Sequence, residues 1–465
     1  MNNKLHVVGY DDLLDLQSNV VGAVLSKDDP MYDAVRLAWN LAVDQHPMVI
    51  VVATQVSDIL FAVRFANDIG LSVAVQSTGH GVILPANDCL LIITSKMNTV
   101  TIDADSQTAW VGCGAQWSKV LEFAQMDGLA PLLGSAPHVG VVGYTLGGGM
   151  GWLARHYGLA IDSVLAFEVV TPDGQLIYVS NVENEDIFWG LRGGGGNFGI
   201  VTAMNIQLYP VTTVYGGNLY YPIADAKAVI ARYREWIKTA PTELTSAFTL
   251  MNYPPIPEMP DFLRGQSYIQ VRGCYCGDVE DGMALLAFWR EWRTPVVDDF
   301  KEMSFSEVGK ISNDPVDPLP GLSSGAWLAD LSDETIDIIT NAVVPQDAPP
   351  VLTFLEVRHA GGNIIGNQVD TTAYSHRHET LSMQMIAVTP DSDSRRHAES
   401  YIADVKHELG HHLTGNVYMN FLEGEEARQS ARKAFNTLSY EKLQSLKAKI
   451  DPNNQFRHSF DITSH

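Results

Sequence analysis

The stretch Gly194-Gly195-Gly196-Asn197-Phe198-Gly199, "GGGNFG", has the spacing G-x-G-x-x-G. That spacing marks a dinucleotide-binding turn only where a strand precedes it and a helix follows, since the helix N-terminus must meet the pyrophosphate. Here the order is reversed. The segment before it, "NEDIFWGLR" (184–192), reads as a short helix, and the segment after it, "IVTAMNIQLYP" (200–210), alternates like a strand. The doubly wound dinucleotide fold is therefore excluded. No phosphate loop ending in Gly-Lys-Ser/Thr occurs either. A second cluster, Gly147-Gly148-Gly149, also lies between strands. Such turns present backbone N–H groups to an anion, or serve only as tight turns.

Working outward, residues 48–113 alternate strands with a helix. "MVIVVA", "LSVAVQS", "LLIIT", "VTIDAD" and "TAWVGC" read as strands. "SDILFAVRFANDIG" (57–70) reads as a helix capped by Ser57 and stopped by Gly70. "AQWSKVLEFAQMDG" is an amphipathic helix ending at Gly128, and "SVLAFEVVT" and "GQLIYVS" are further strands. After Pro210 longer helices alternate with strands such as "SYIQVRG" and "VLTFLEVRHA", an α+β layer. The last fifty residues return as a helix, "SYEKLQSLKAKI".

The chain has 465 residues and a formal net charge of −24. The length suits two or three domains. So acidic a chain repels a phosphate backbone, which argues against a nucleic-acid partner. No apolar run is long enough for a membrane span, and the N-terminus lacks a basic region followed by an apolar core. A cytoplasmic location, without membrane attachment, is the expectation. Cys274 and Cys276 form one C-x-C, half of a zinc site at best; with Cys89 and Cys113 they read as reduced, small apolar residues.

Two histidine motifs compete. His407-Glu408-Leu409-Gly410-His411 is a literal H-E-x-x-H, which on a helix binds zinc and supplies a general base. Gly410 weakens that helix, and no third histidine follows at metzincin spacing. The other motif is "QSTGHG" (76–81), a histidine between glycines at a strand end. Read alone, His80 is a turn residue with its ring in solvent or bonded to a carbonyl, or an attachment point.

The segments "VAVQSTGHG", "GLAPLLGSAPHVGVVGYTLGGGMGWLARHYGLAIDSV", "VVTPDGQLIYVS", "DIFWGLRGGGGNFGIVT" and "NVYMNFLEGEE…YEKLQSLKAKIDPNNQFRH" occur in one order. Together they resemble the FAD-linked oxidases of the vanillyl-alcohol oxidase (PCMH-type) superfamily, in the berberine bridge enzyme-like branch, similar in layout to bacterial 6-hydroxynicotine oxidases. The resemblance implies an α+β fold. Residues 1–212 would form the FAD-binding domain, 213–412 a central substrate domain with an antiparallel sheet, and 413–465 a C-terminal segment returning to the FAD domain. It implies FAD, covalently bound through the 8α position to His80, and no metal. Cofactor contacts would come from Gln76, Ser77, Thr78, Gly79 and Gly81, from Ala136, Val139, Gly143, Tyr144, Gly147, Gly148, Gly149 and Gly151, and from Asn197, Gly199, Ile200, Val201, Tyr418 and Asn420.

Several positions depart from the family pattern. Gln76 replaces the usual arginine. Ala136 stands where relatives carry a second tethering cysteine, so the tether would be single. Tyr144 stands where plant relatives have histidine before the glycine triplet. The implied reaction moves a hydride from a CH–OH or CH–NH carbon of a small molecule, a sugar or secondary metabolite, to flavin N5. Dioxygen would reoxidise the flavin to give hydrogen peroxide, with Val139 at the oxygen-gating position. Tyr418 is the first candidate base, Tyr144 the second, and Glu356 with His359 the third. A monomer or homodimer fits. The competing classes are a zinc hydrolase built on His407 and His411 and a flavin carrier without turnover.

Overall fold

The computed structural model describes residues 8–345, 348–366 and 371–463. Three sheets carry the fold. The first has strands β1 (Ala23–Leu25), β2 (Val49–Val52), β3 (Val73–Gln76) and β4 (Leu90–Ile93) in the order β1-β2-β4-β3, with β2 and β3 parallel to β4. The second is antiparallel: β5 (Val100–Asp103), β6 (Thr108–Gly112), β7 (Val164–Val170), β8 (Leu176–Ser180) and β9 (Ile200–Gln207), in the order β5-β6-β9-β7-β8. The helix Glu185–Leu191 precedes the Gly193–Gly199 turn and β9 follows it, the reverse of a dinucleotide-binding turn.

The helix Val56–Ile69 buries Ile59, Ala62, Val63 and Ala66, one face at helical spacing. It stops at Gly70, whose left-handed φ of +74° lets its N–H close on Ala66 and Asn67. Its start differs from the sequence expectation: the N-cap is Gln55, and Ser57 lies in the first turn. No side chain caps this helix; Asp58 in its first turn instead ties the residue before the cap to a distant turn. Its buried carboxylate accepts from the N–H groups of Val21, Gly22 and Thr54 and from the Thr54 hydroxyl. Burial raises its pKa, but these donors outweigh burial and the net shift is downward.

The third sheet is antiparallel and contains β10 (Thr213–Pro222), β11 (Leu244–Asn252), β12 (Ser267–Tyr275), β13 (Val297–Asp298), β14 (Lys301–Ser304), β15 (Gly321–Leu328), β16 (Phe354–His359) and β17 (Leu381–Val388). The order is β13-β10-β12-β11-β16-β17-β15, with β14 also on β10. One face is apolar: Leu219, Val271, Phe248, Val357, Met383 and Met385 pack in one core with the helices Ala226–Trp236, Asp333–Val343 and Ser392–Leu409. Period-two alternation then sends the intervening residues to the other face. That face is polar across the sheet. The register aligns Tyr220 with Gln270, Gln270 with Thr249, Thr249 with Glu356 and Glu356 with Gln384.

The C-terminal segment touches both parts. Leu413 bridges to Leu328 of β15, Gln455 accepts from the Val73 amide of β3, and Lys447 donates to the Asn197 carbonyl at 3.0 Å. Among the described residues no helix is long and apolar enough to cross a membrane.

Candidate active site

His80 sits in the turn after β3. Gly79 makes that turn possible: its φ is +78°, and a Cβ there would lie 2.7 Å from the Ala38 backbone. Thr78 and Gly79 accept from the amides of Trp39 and Asn40, which docks the turn on the N-terminal segment. The His80 ring stacks on Trp39 with centroids 4.1 Å apart and lies 4.8 Å from the His138 ring. Burial, and then His138, push its pKa down to about 3, so the imidazole is neutral at neutral pH. His80 Nε2 and Ser77 Oγ are buried without a hydrogen-bond partner. Both residues border a cavity of about 540 Å³, lined also by Thr78, Gly114, Gln116 and His138. Gly140 lies against Ser77, while Gly81 and Gly143 face open space.

Gln76 is not among the residues lining that cavity. Its amide donates to Leu37 O and accepts from Gln45, so it ties β3 to the N-terminal segment. Ala136 and Val139 are half-buried and joined by a hydrogen bond from Val139 N to Ala136 O. Asn197 donates to Gly194 O at 3.0 Å, Ile200 and Val201 lie in apolar cores, and Gly199 abuts Val169.

A second centre forms where the C-terminal segment meets the Gly147–Gly151 tract. The Tyr418 hydroxyl accepts from the N–H groups of Gly149 and Met150, each at 3.0 Å, and from Asn420 Nδ2 at 3.1 Å. Gly149, at φ +81°, is required for this: a Cβ would meet Ala160 at 2.5 Å and the Tyr144 ring at 2.7 Å. Gly147 abuts Asn420, Gly148 abuts Tyr374 and Tyr418, and Gly151 abuts Leu133 O, so these glycines pack against protein atoms. Burial pushes the Tyr418 phenol up to about 12, against the pull of the Met150 and Gly149 amides, Asn420 and Arg358. Tyr144 is half-buried beside it with its buried hydroxyl unpartnered, and burial of that group holds its pKa well above the usual phenol value.

The polar face of the third sheet closes on this centre. Arg358 donates to Met150 O at 2.9 Å, and its guanidinium lies over the Trp152 ring. It also pairs with Glu356 at 2.7 Å, while Arg272 approaches the same carboxylate at 3.3 Å. Burial alone would raise Glu356, but the two arginines lower it below the ordinary range. Asp314 stands near these groups and burial raises its pKa. Arg272 Nε, Ser382 Oγ and Asn218 Oδ1 on this face lack partners. His359 does not join Glu356. It projects from the opposite face of β16, with Nε2 at 3.2 Å from Arg155.

The H-E-x-x-H motif does not share one helix. The helix Ser392–Leu409 ends at Gly410, whose φ is +45°, and His411 lies in the 3-10 turn beyond. The zinc-hydrolase geometry expected of His407 and His411 is thereby lost.

Residues 47–180 match the FAD binding domain family, and residues 417–462 match the berberine and berberine-like family. (R)-6-hydroxynicotine oxidase of Paenarthrobacter nicotinovorans is 27% identical, over 96% of this chain and 97% of its own. An FAD-linked oxidoreductase of Dictyostelium discoideum is 26% identical, over 96% and 95%. The chain belongs to the PCMH-type FAD-linked oxidoreductases, in their berberine bridge enzyme-like branch. The fold agrees. Physcomitrella patens BBE-like 1 superposes with a TM-score of 0.85 at 22% identity, covering 97% of this chain and all of that one. The Arthrobacter nicotinovorans 6-hydroxy-D-nicotine oxidase does so with 0.83 at 23% identity, covering 95% and 98%.

As an FAD-dependent oxidoreductase of this family, the chain presents groups suited to the flavin nucleotide: the unpartnered Ser77 hydroxyl, a neutral His80, the unpartnered Tyr144 hydroxyl, and the open approaches at Gly81 and Gly143. Sequence reasoning missed Trp39, His138, Arg272, Gln270 and Arg358. For the last three a signal existed. "IQVRG" and "LEVRH" alternate apolar and polar residues, and the polar set faces the site. Trp39 carried no such pattern.

Proposed function

We propose that the chain is an oxidase whose residues would hold FAD by a single tether at His80; the flavin would supply a hydride acceptor for a CH–OH or CH–NH carbon of a small molecule and be reoxidised by dioxygen to give hydrogen peroxide. The observation that carries this reading is the convergence of three N–H donors on the Tyr418 oxygen beside the Gly147–Gly151 tract, under Arg358 and Glu356. An oxygen so surrounded is prepared to hold negative charge. Two backbone amides, one side-chain amide and the field of Arg358 all favour phenolate, but burial outweighs them and the phenol stands at about 12, so it is protonated at neutral pH. Once deprotonated, Tyr418 is the base that receives the substrate OH or NH proton, with these donors holding the phenolate. Tyr144 has an unpartnered hydroxyl near Tyr418 and serves as a hydrogen-bonding contact. Glu356 acts through Arg358 and Arg272, fixing both guanidiniums on the polar sheet face.

The single tether follows from chemistry at three positions. His80 is neutral and its Nε2 is uncommitted, as a nucleophilic imidazole must be. Ala136 offers no thiol. Cys113 is buried, and its thiol is pushed up to about 12, far from a reactive thiolate. The oxidase assignment rests on Val139. A valine-for-isoleucine variant of the grass-pollen protein Phl p 4 is described as a glucose oxidase, whereas the wild type is a glucose dehydrogenase. Its fold matches this chain with a TM-score of 0.83 at 22% identity.

The test is oxygen consumption and peroxide release by the purified full chain across panels of sugars, secondary alcohols, phenolic alcohols and cyclic amines. Bound flavin with substrate-dependent peroxide is the expected result. Bound flavin that no panel member reduces would overturn the oxidase reading in favour of a flavin carrier.

A further inference from the structure

The histidine pair His411-His412 has no part in the flavin site. Where the helix Ser392–Leu409 breaks at Gly410, the chain turns and carries both histidines toward the start of the helix Asp333–Val343. There the ligand atoms of Glu334, His411 and His412 all lie within 4.8 Å of one another. Among the described residues this is the one such grouping of three, and His407 is not in it.

His412 is the fixed member. It is only 5% exposed, and its backbone carbonyl accepts from the Ala329 amide at 2.8 Å. Its Nε2 is buried without a hydrogen bond, although Glu334 Oε2 stands 3.4 Å away. The other ring nitrogen, Nδ1, faces Asp330 Oδ1 and Ser332 Oγ, each at 3.5 Å. A carboxylate behind one nitrogen and an open position before the other is the arrangement that orients a metal-binding histidine. The His411 ring lies beside it, with centroids 4.1 Å apart.

We infer that Glu334, His411 and His412 form a site for a divalent ion of the zinc class, distinct from the flavin chemistry. Two imidazoles and one carboxylate suit zinc, with a water as fourth ligand. Tetrahedral zinc with bonds of about 2.0–2.2 Å needs ligand atoms roughly 3.3–3.5 Å apart. The Glu334–His412 pair already has that spacing. Glu334 and His411 are exposed, so ordinary rotamer changes bring the third atom in. The ion would clip the first turn of the helix Asp333–Val343 to the turn after the helix Ser392–Leu409.

The test uses chelator-treated full-length protein. Zn²⁺ is titrated by calorimetry, Co²⁺ by its visible spectrum, and thermal unfolding is followed with and without Zn²⁺. One ion per chain at micromolar affinity or tighter, with a raised Tm, is expected. Glu334→Ala and His411→Ala change exposed residues and should each weaken binding at least tenfold. His407→Ala should leave it unchanged. Absence of stoichiometric binding at ten-micromolar Zn²⁺, binding that survives both variants, or binding lost with His407→Ala would each overturn the site.

Discussion

Arg358 reaches one oxygen of Glu356 with both Nη2 and Nε, at 2.7 and 3.2 Å, while the two residues stand on the same face of β16. Arg272 takes the other oxygen at 3.3 Å. All three side chains are almost fully buried. Removing one partner leaves an unpaired buried charge, which costs about 3–5 kcal/mol. Glu356→Gln is therefore expected to lower stability by that order in neutral solution. The sign with pH follows from the depressed pKa. The carboxylate's contribution is present above its ordinary range near about 4.3 and is lost as pH falls through the lower folded value. Thermal unfolding against pH should show the wild type losing more stability than the variant as the solution is acidified below that range.

Tyr418 and Tyr144 should respond differently to loss of their hydroxyls. Tyr418→Phe strands two backbone N–H groups and the Asn420 amide, at about 1–3 kcal/mol for a buried unsatisfied group. It should also cut turnover by about 10²–10⁴, the usual worth of a positioned base. Tyr144→Phe removes a hydroxyl without a protein partner, so its unfolding temperature should stay near wild type. Wild-type kcat/KM should rise toward alkaline pH, because the base must lose a proton, and Tyr418→Phe should abolish that limb. A pH–rate profile for both variants, with melting curves, checks this.

Much of the fold and part of the site were legible in the sequence, for separable reasons. The helix-then-strand order around "GGGNFG" excluded the dinucleotide fold, because local periodicity states element order directly. The turn histidine His80 and the glycine tracts stood out by motif, whereas Tyr418 was marked only by the resemblance of the C-terminal segment to the family. The Asp58 tie did not, since its partners Val21 and Gly22 are distant in sequence. The Trp39–His80 stack and the His412–Glu334 approach were hidden for the same reason. β17 turns Met383 and Met385 onto the helix-covered face, where both are fully buried.

Glu423 offers a pH-dependent stability test away from the base. It accepts from Asn40 Nδ2 at 3.0 Å and from the Ser323 amide at 2.9 Å, joining three distant segments. Burial pushes its pKa up to about 7 despite these bonds. A raised folded value means that its protonated form stabilises the fold below the ordinary carboxylate range. That contribution is lost as pH rises through about 7. The shift corresponds to roughly 3 kcal/mol. Unfolding temperatures measured from pH 5 to 8 should fall in the wild type and stay flatter in Glu423→Gln.

Val139→Ile tests the oxygen gate. Added bulk at this half-buried position should slow reoxidation of the reduced protein by dioxygen about tenfold, a barrier increase of about 1.4 kcal/mol. Flavin reduction by substrate should change little. Stopped-flow mixing with oxygenated buffer separates the two half-reactions.

The single His80 tether is tested most directly by acid precipitation of the purified full-length protein. The account predicts a yellow wild-type pellet that keeps its flavin through washing, and a colourless pellet from His80→Ala. A colourless wild-type pellet, with all the flavin released to the supernatant, would contradict it.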